Sequence, residues 1–107
     1  MGYGIEHAST GATSATKSFH MPANTALSVV ANGTIRGSAG VTTTTFNLYV
    51  SDSSVFSTST KKSSAQNWST NATGTMTSSN ATIKLHNSKA TNTCNTNVKS
   101  LQINYKL

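Results

Sequence analysis

Carboxylates are almost missing from this chain: Glu6 and Asp52 stand against eight Lys and Arg residues, for a net charge of +6. Glycoside hydrolysis by paired carboxylates would have to use both of them, which argues against that class of enzyme. Cysteine is as scarce. Cys94 has no second cysteine to pair with, so disulfide scaffolds are excluded. What remains for Cys94 is a buried thiol acting as a small apolar side chain, or an intermolecular contact.

No run approaches the roughly 18–20 apolar residues of a membrane helix, and no basic-then-apolar signal segment opens the chain. The expectation is a processed chain or release on lysis, with an extracellular, cell-surface or virion-surface location. No glycine loop sits between a strand and a helix to cradle phosphate. His7, His20, His86 and Cys94 show no metal-ligand spacing, and no cofactor is expected. One arginine and seven lysines are spread along the chain; without an arginine stripe or aromatic ladder, specific nucleic-acid recognition is not expected.

What is there is hydroxyl and amide. Ser, Thr and Asn number 17, 19 and 11 of the 107 residues, while charged residues make up 9%, against about 25% in ordinary domains. The longest stretch that agrees on one structure is Val41–Val50. Read with a period of two, it puts Phe46, Leu48 and Val50 on one face with Thr42 and Thr44, and Thr43, Thr45, Asn47 and Tyr49 on the other. Four consecutive threonines suit a pleated strand and disfavour a helix, because β-branching crowds the preceding helical turn.

Other strands follow the same logic. Thr16–Met21 and Thr25–Ala31 read as strands, and Asn32-Gly33 reads as a type I′ hairpin turn. That hairpin would pair Val30 with Ile35 on a buried face but set Arg36 beside Val29. Ser51–Ser54 is a turn cluster, followed by a short strand over Val55–Thr60 in which adjacent Val55-Phe56 breaks the alternation. Trp68 falls in a weakly patterned stretch. Ala72–Thr77 and Ala81–Leu85 form a second expected hairpin about Ser78-Ser79-Asn80; residues 87–97 read as a polar loop, and Leu101, Ile103 and Tyr105 mark the last strand.

Seven to eight short strands without helical periodicity predict a single-domain antiparallel β-sandwich of jelly-roll type over residues 16–107. Its expected core is Phe19, Leu27, Val29 or Val30, Phe46, Leu48, Val50, Phe56, Met76, Ile83, Leu85, Leu101, Ile103 and Tyr105. Residues 1–15, glycine-rich with Tyr3 and Ile5 as scattered apolar side chains, read as a flexible arm or a short edge strand.

Candidate binding residues are few. Trp68, preceded by Gln66 and Asn67, and outward Tyr49 make the most glycan-like group, since an aromatic surface flanked by amides suits a sugar ring. The competing role for Trp68 is a plug in one end of the sandwich. Lys61-Lys62 is the only adjacent basic pair and suits an anionic envelope polymer. Gly2-Tyr3-Gly4, Ser18-Phe19-His20 and Ala26-Leu27-Ser28-Val29-Val30 together resemble the lactococcin 972-type bacteriocins, over about a third of the chain. That resemblance implies a small secreted cationic β-protein acting on the cell envelope.

The composition as a whole points to a non-enzymatic surface protein, structural or adhesive, forming homo-oligomers or polymers through strand edges and the arm, where Tyr3, Ile5 and Cys94 are the candidate contacts. The alternatives are a cationic antimicrobial that binds an envelope component and a carbohydrate-binding module.

Overall fold

A computed structural model describes residues 2–5, 16–21, 23, 26–77, 82–89, 91 and 93–105. They form eight strands: β1 (Gly2–Ile5), β2 (Thr16–His20), β3 (Ala26–Arg36), β4 (Thr44–Val50), β5 (Ser53–Thr60), β6 (Gln66–Thr75), β7 (Thr82–Asn87) and β8 (Asn95–Tyr105). Two four-stranded antiparallel sheets, ordered β1-β8-β3-β6 and β2-β7-β4-β5, face each other. Every connection crosses from one sheet to the other except the β4–β5 hairpin. This is the eight-stranded jelly roll, the architecture expected from strand count and spacing.

The inner faces follow the alternation. β4 buries Thr44, Phe46, Leu48 and Val50, while β7 buries Ile83, Leu85 and Asn87. From the other sheet come Leu27, Val29, Ala31, Ile35, Trp68, Ala72, Val98, Leu101 and Ile103, joined by Met76 just past β6, with Phe56 and Tyr105 packed partly buried against the cluster. Two polar side chains are buried as a pair: Thr96 Oγ1 donates to Asn87 Oδ1 at 3.0 Å, which satisfies groups that would be costly to bury alone.

Four expectations are corrected. First, Asn32-Gly33 is not a turn. β3 runs straight through it, because Leu27, Val29, Ala31, Gly33 and Ile35 continue one buried face without a break. Val30 is therefore outside, and Arg36 falls on the outer face with it, which removes the misfit the hairpin created. The glycine serves a close approach: a Cβ at Gly33 would lie 1.8 Å from the Asn97 carbonyl oxygen of β8. The β3–β8 register also shifts between Asn32 and Gly33, pairing Asn32 with Ser100 and Gly33 with Val98, so Lys99 is the extra residue of a β-bulge.

Second, Ala72–Thr77 and Ala81–Leu85 are not hairpin partners. β6 pairs with β3, whereas β7 lies between β2 and β4 in the opposite sheet; both are amphipathic, and each turns its apolar side chains into the shared core. A Cβ on Gly74 would come 2.8 Å from Val50 Cγ1 of the facing sheet, so the glycine lets the layers close. Residues 78–81 lie outside the described residues.

Third, the weakly patterned stretch around Trp68 is the start of β6, held by ten pairs with β3. Fourth, the loop expected at 87–97 is shorter, since β7 reaches Asn87 and β8 starts at Asn95; their ends are closed by the buried Asn87–Thr96 pair.

The hairpin that does exist joins β4 to β5 at Ser51 and Asp52, both left-handed, with φ of 50° and 65°. Its register shifts between Leu48 and Tyr49, pairing Leu48 with Phe56 and Tyr49 with Ser54. Val55 is thus the extra residue, which explains why Val55-Phe56 interrupts the alternation.

Candidate functional site

The two outer faces differ in what they offer a partner. On the β1-β8-β3-β6 sheet, strand register lines up short polar side chains in rows: Asn97, Thr34 and Asn67; Ser100, Asn32 and Ser69; Asn104, Ser28 and Thr73. Between the last two runs Gln102, Val30 and Asn71. Arg36 and Lys99 are the charged side chains on β8, β3 and β6 besides this amide and hydroxyl field. Such groups present both donors and acceptors to a partner without a large desolvation penalty.

This face carries a groove of ≈ 320 Å³ lined by Asn32, Gly33, Asn67, Trp68, Ser69 and Lys99. Its origin is the bulge. Gly33 contributes no side chain, its pair partner on β6 is Trp68, and the extra residue Lys99 stands exposed at the rim. Trp68 itself is buried, 7% exposed. Its indole stacks on Phe46 with ring centroids 4.9 Å apart and lies 5.5 Å from Phe56, while its Cζ2 would be 3.0 Å from a Cβ at Gly33. The Trp68 Nε1–H is buried and has no acceptor.

The outer face of the β2-β7-β4-β5 sheet is different. Tyr49 sits there half-buried, its ring covered by the Lys84 ammonium at 4.8 Å from the centroid, and Lys84 also pairs with Asp52 at 3.6 Å. A tyrosine occupied by a neighbouring cation in this way is not a free platform for a sugar ring. Ser54 Oγ donates to Asn47 Oδ1 at 3.2 Å beside it.

No protein-family model matches the chain, the segments that resemble the lactococcin 972-type bacteriocins included, and no curated protein matches it. Among solved structures it is similar to the CBM36-1 domain of a multidomain xylanase from the hindgut metagenome of Trinervitermes trinervoides, with 14% identity, 94% of this chain and 75% of that chain covered, and a TM-score of 0.47. At that distance the likeness assigns neither ligand nor activity.

The structure therefore disperses most of the candidates. Asn67 and Trp68 share the groove. Gln66, next to them in sequence, turns away and donates Nε2 to the Ser64 carbonyl at 3.1 Å and to Ser64 Oγ at 2.9 Å. Tyr49 is on the opposite sheet. Lys61 and Lys62 are exposed in the β5–β6 loop, where their carbonyls accept from Gly40 N at 3.0 Å and Gly37 N at 2.7 Å. Tyr3 and Ile5 lie on β1, opposite Ile103 and Leu101 of β8; residues 6–15 lie outside the described residues.

Cys94 is buried at the entry to β8. Its amide donates to Thr91 Oγ1 at 3.0 Å, and the Thr93 hydroxyl lies 3.9 Å from its sulfur, so an intermolecular bridge would require this turn to open. Sequence reasoning missed Asn32, Ser69 and Lys99 as groove residues. Treating Asn32-Gly33 as a turn hid all three, because only a straight β3 sets Asn32 beside Ser69 and throws Lys99 out of register.

Proposed function

We propose that the protein is a non-enzymatic structural and adhesive domain of an extracellular, cell or virion surface, which self-associates by adding strands at open sheet edges. The observation that carries this is β6. It is the edge of its sheet, ten residues long, with the sequence QNWSTNATGT and a continuous register against β3. Sheets commonly blunt such edges with lysine, proline or a bulge, and β6 has none of these. At the opposite edge, β1 adds to β8 through four pairs, an example within one chain of the strand addition by which the arm would reach a neighbour. Jelly rolls serve capsids and lectins alike, an analogy of fold that is compatible with this reading without carrying it.

Sedimentation velocity and negative-stain micrographs at high protein concentration test it. The wild type is expected to form regular assemblies. Asn71→Lys/Thr73→Lys, which puts two charges on exposed positions of β6, is expected to leave a folded monomer, since like charges facing each other across a new ladder are repulsive. Removing residues 1–15, which also takes β1 off the β8 edge, is expected to abolish assembly. A wild type that sediments as a monomer throughout would end this reading.

A further inference from the structure

We propose that the groove over Gly33 and Trp68 is a binding site for an acidic sugar, a uronic-acid-type residue whose carboxylate meets Lys99 and whose ring hydroxyls meet Asn32, Asn67 and Ser69. This site is independent of self-association, which uses the backbone edge of β6.

Three observations converge on it. The first is shape: at ≈ 320 Å³ the groove lies at the small end of the range of ligand sites, roughly 300–1,000 Å³, a size for one or two sugar residues. It is also held open by the fold, because the Gly33 backbone is pressed against Asn97 and no side chain can grow into that position.

The second is unspent hydrogen-bonding capacity. None of the Asn32, Asn67, Ser69 and Lys99 side chains bonds another described residue, although elsewhere on the same face Gln102 Nε2 donates to Asn104 Oδ1 at 2.8 Å. Their amide and hydroxyl groups and the ammonium therefore stand available to a partner that enters the groove.

The third is polarity. An ammonium, two carboxamides and a hydroxyl make a polar set with one positive charge and no carboxylate. Such a set favours an acceptor-rich ligand with a single negative charge, and an ammonium–carboxylate contact is of the stronger, charge-assisted kind. Neutral sugars would use the amides and leave Lys99 unmatched.

The chain's single tryptophan gives the readout. Titrations follow Trp68 fluorescence with an oligogalacturonate, a neutral xylo-oligosaccharide of equal length, and inorganic sulfate, on the wild type and on Lys99→Gln, Asn67→Ala and the remote control Lys61→Gln. All three positions are exposed, and thermal melts check that the variants stay folded. Saturable binding of the oligogalacturonate is expected, weakened about tenfold or more by Lys99→Gln, as loss of a charge-assisted contact requires, weakened severalfold by Asn67→Ala, as loss of a neutral hydrogen bond does, and unchanged by Lys61→Gln. Equal binding of the neutral oligosaccharide would overturn the acidic assignment. An equal response to sulfate with the same Lys99 dependence would reduce the site to a bare anion site, an equal loss in Lys61→Gln would reduce it to diffuse charge, and no binding at millimolar ligand would remove it; each of these overturns the proposal.

Discussion

Two dipeptides in this chain carry turn chemistry, and they behave in opposite ways. Asn32-Gly33, by composition the stronger hairpin signal, lies in the middle of an eleven-residue strand. Ser51-Asp52, the weaker signal, forms the tight β4–β5 turn with both residues left-handed. The difference lies in the flanks. Around Asn32-Gly33 the apolar alternation continues in phase on both sides, so a straight strand buries Leu27, Val29, Ala31 and Ile35 together. Around Ser51-Asp52, folding back pairs Val50 with Ser53 and, through the bulge, Leu48 with Phe56. A turn signal therefore yields to burial when the strand that continues through it hides more apolar surface than the hairpin would.

The largest effects that break this comparison are at Gly33 of β3 and at its pair partner on β6, Trp68. Trp68→Ala is expected to cost about 3–5 kcal/mol in urea unfolding, the range for removing a large aromatic from a core, and so cannot serve as a neutral probe of ligand binding. Gly33→Val is expected to cost about 3 kcal/mol or more, at or beyond the upper end of overpacking, because its Cβ has no room beside Asn97; a hairpin tip would tolerate the change far better. A mild effect there would mean that β3 turns after all.

A sharper contrast comes from neighbouring valines. Val29 is fully buried and Val30 is 38% exposed. Val29→Ala should cost on the order of 1–3 kcal/mol as a large-to-small change in the core, whereas Val30→Ala should stay within about 0.5 kcal/mol, as surface changes do. The hairpin reading pairs Val30 with Ile35 on the buried face and predicts the reverse order. A small effect of opposite sign is expected at the true turn: Asp52→Gly should raise stability in urea unfolding by a few tenths of a kcal/mol, since glycine takes positive φ without the side-chain penalty. The exposed Asp52–Lys84 pair lost in that variant contributes little.

The candidate site was half legible. Asn67 and Trp68 stand out by residue type, and the role of plug foreseen for Trp68 is the one its stacking on Phe46 fits. Tyr49 also reads correctly as outward, yet its strand belongs to the other sheet and its ring is already covered by Lys84. Asn32, Ser69 and Lys99 carry no local signal, since in an Asn- and Ser-rich chain their types are ordinary. They become a site through the β3–β6 register and the bulge on β8, both of which join residues far apart in sequence.

By itself the sequence determined that this is an all-β chain, which face of most strands is apolar, and that its single cysteine allows no intrachain disulfide. Those properties are local or compositional: an alternation of period two reports a half-buried strand wherever it occurs. Only the tertiary structure decided which strands share a sheet, that β6 and β7 belong to opposite sheets instead of lying side by side, and that Asn-Gly faces a bulge and a groove. The physical reason is that strand pairing and layer packing are settled together, by closing one small core over all eight strands, and no short stretch of chain contains that information.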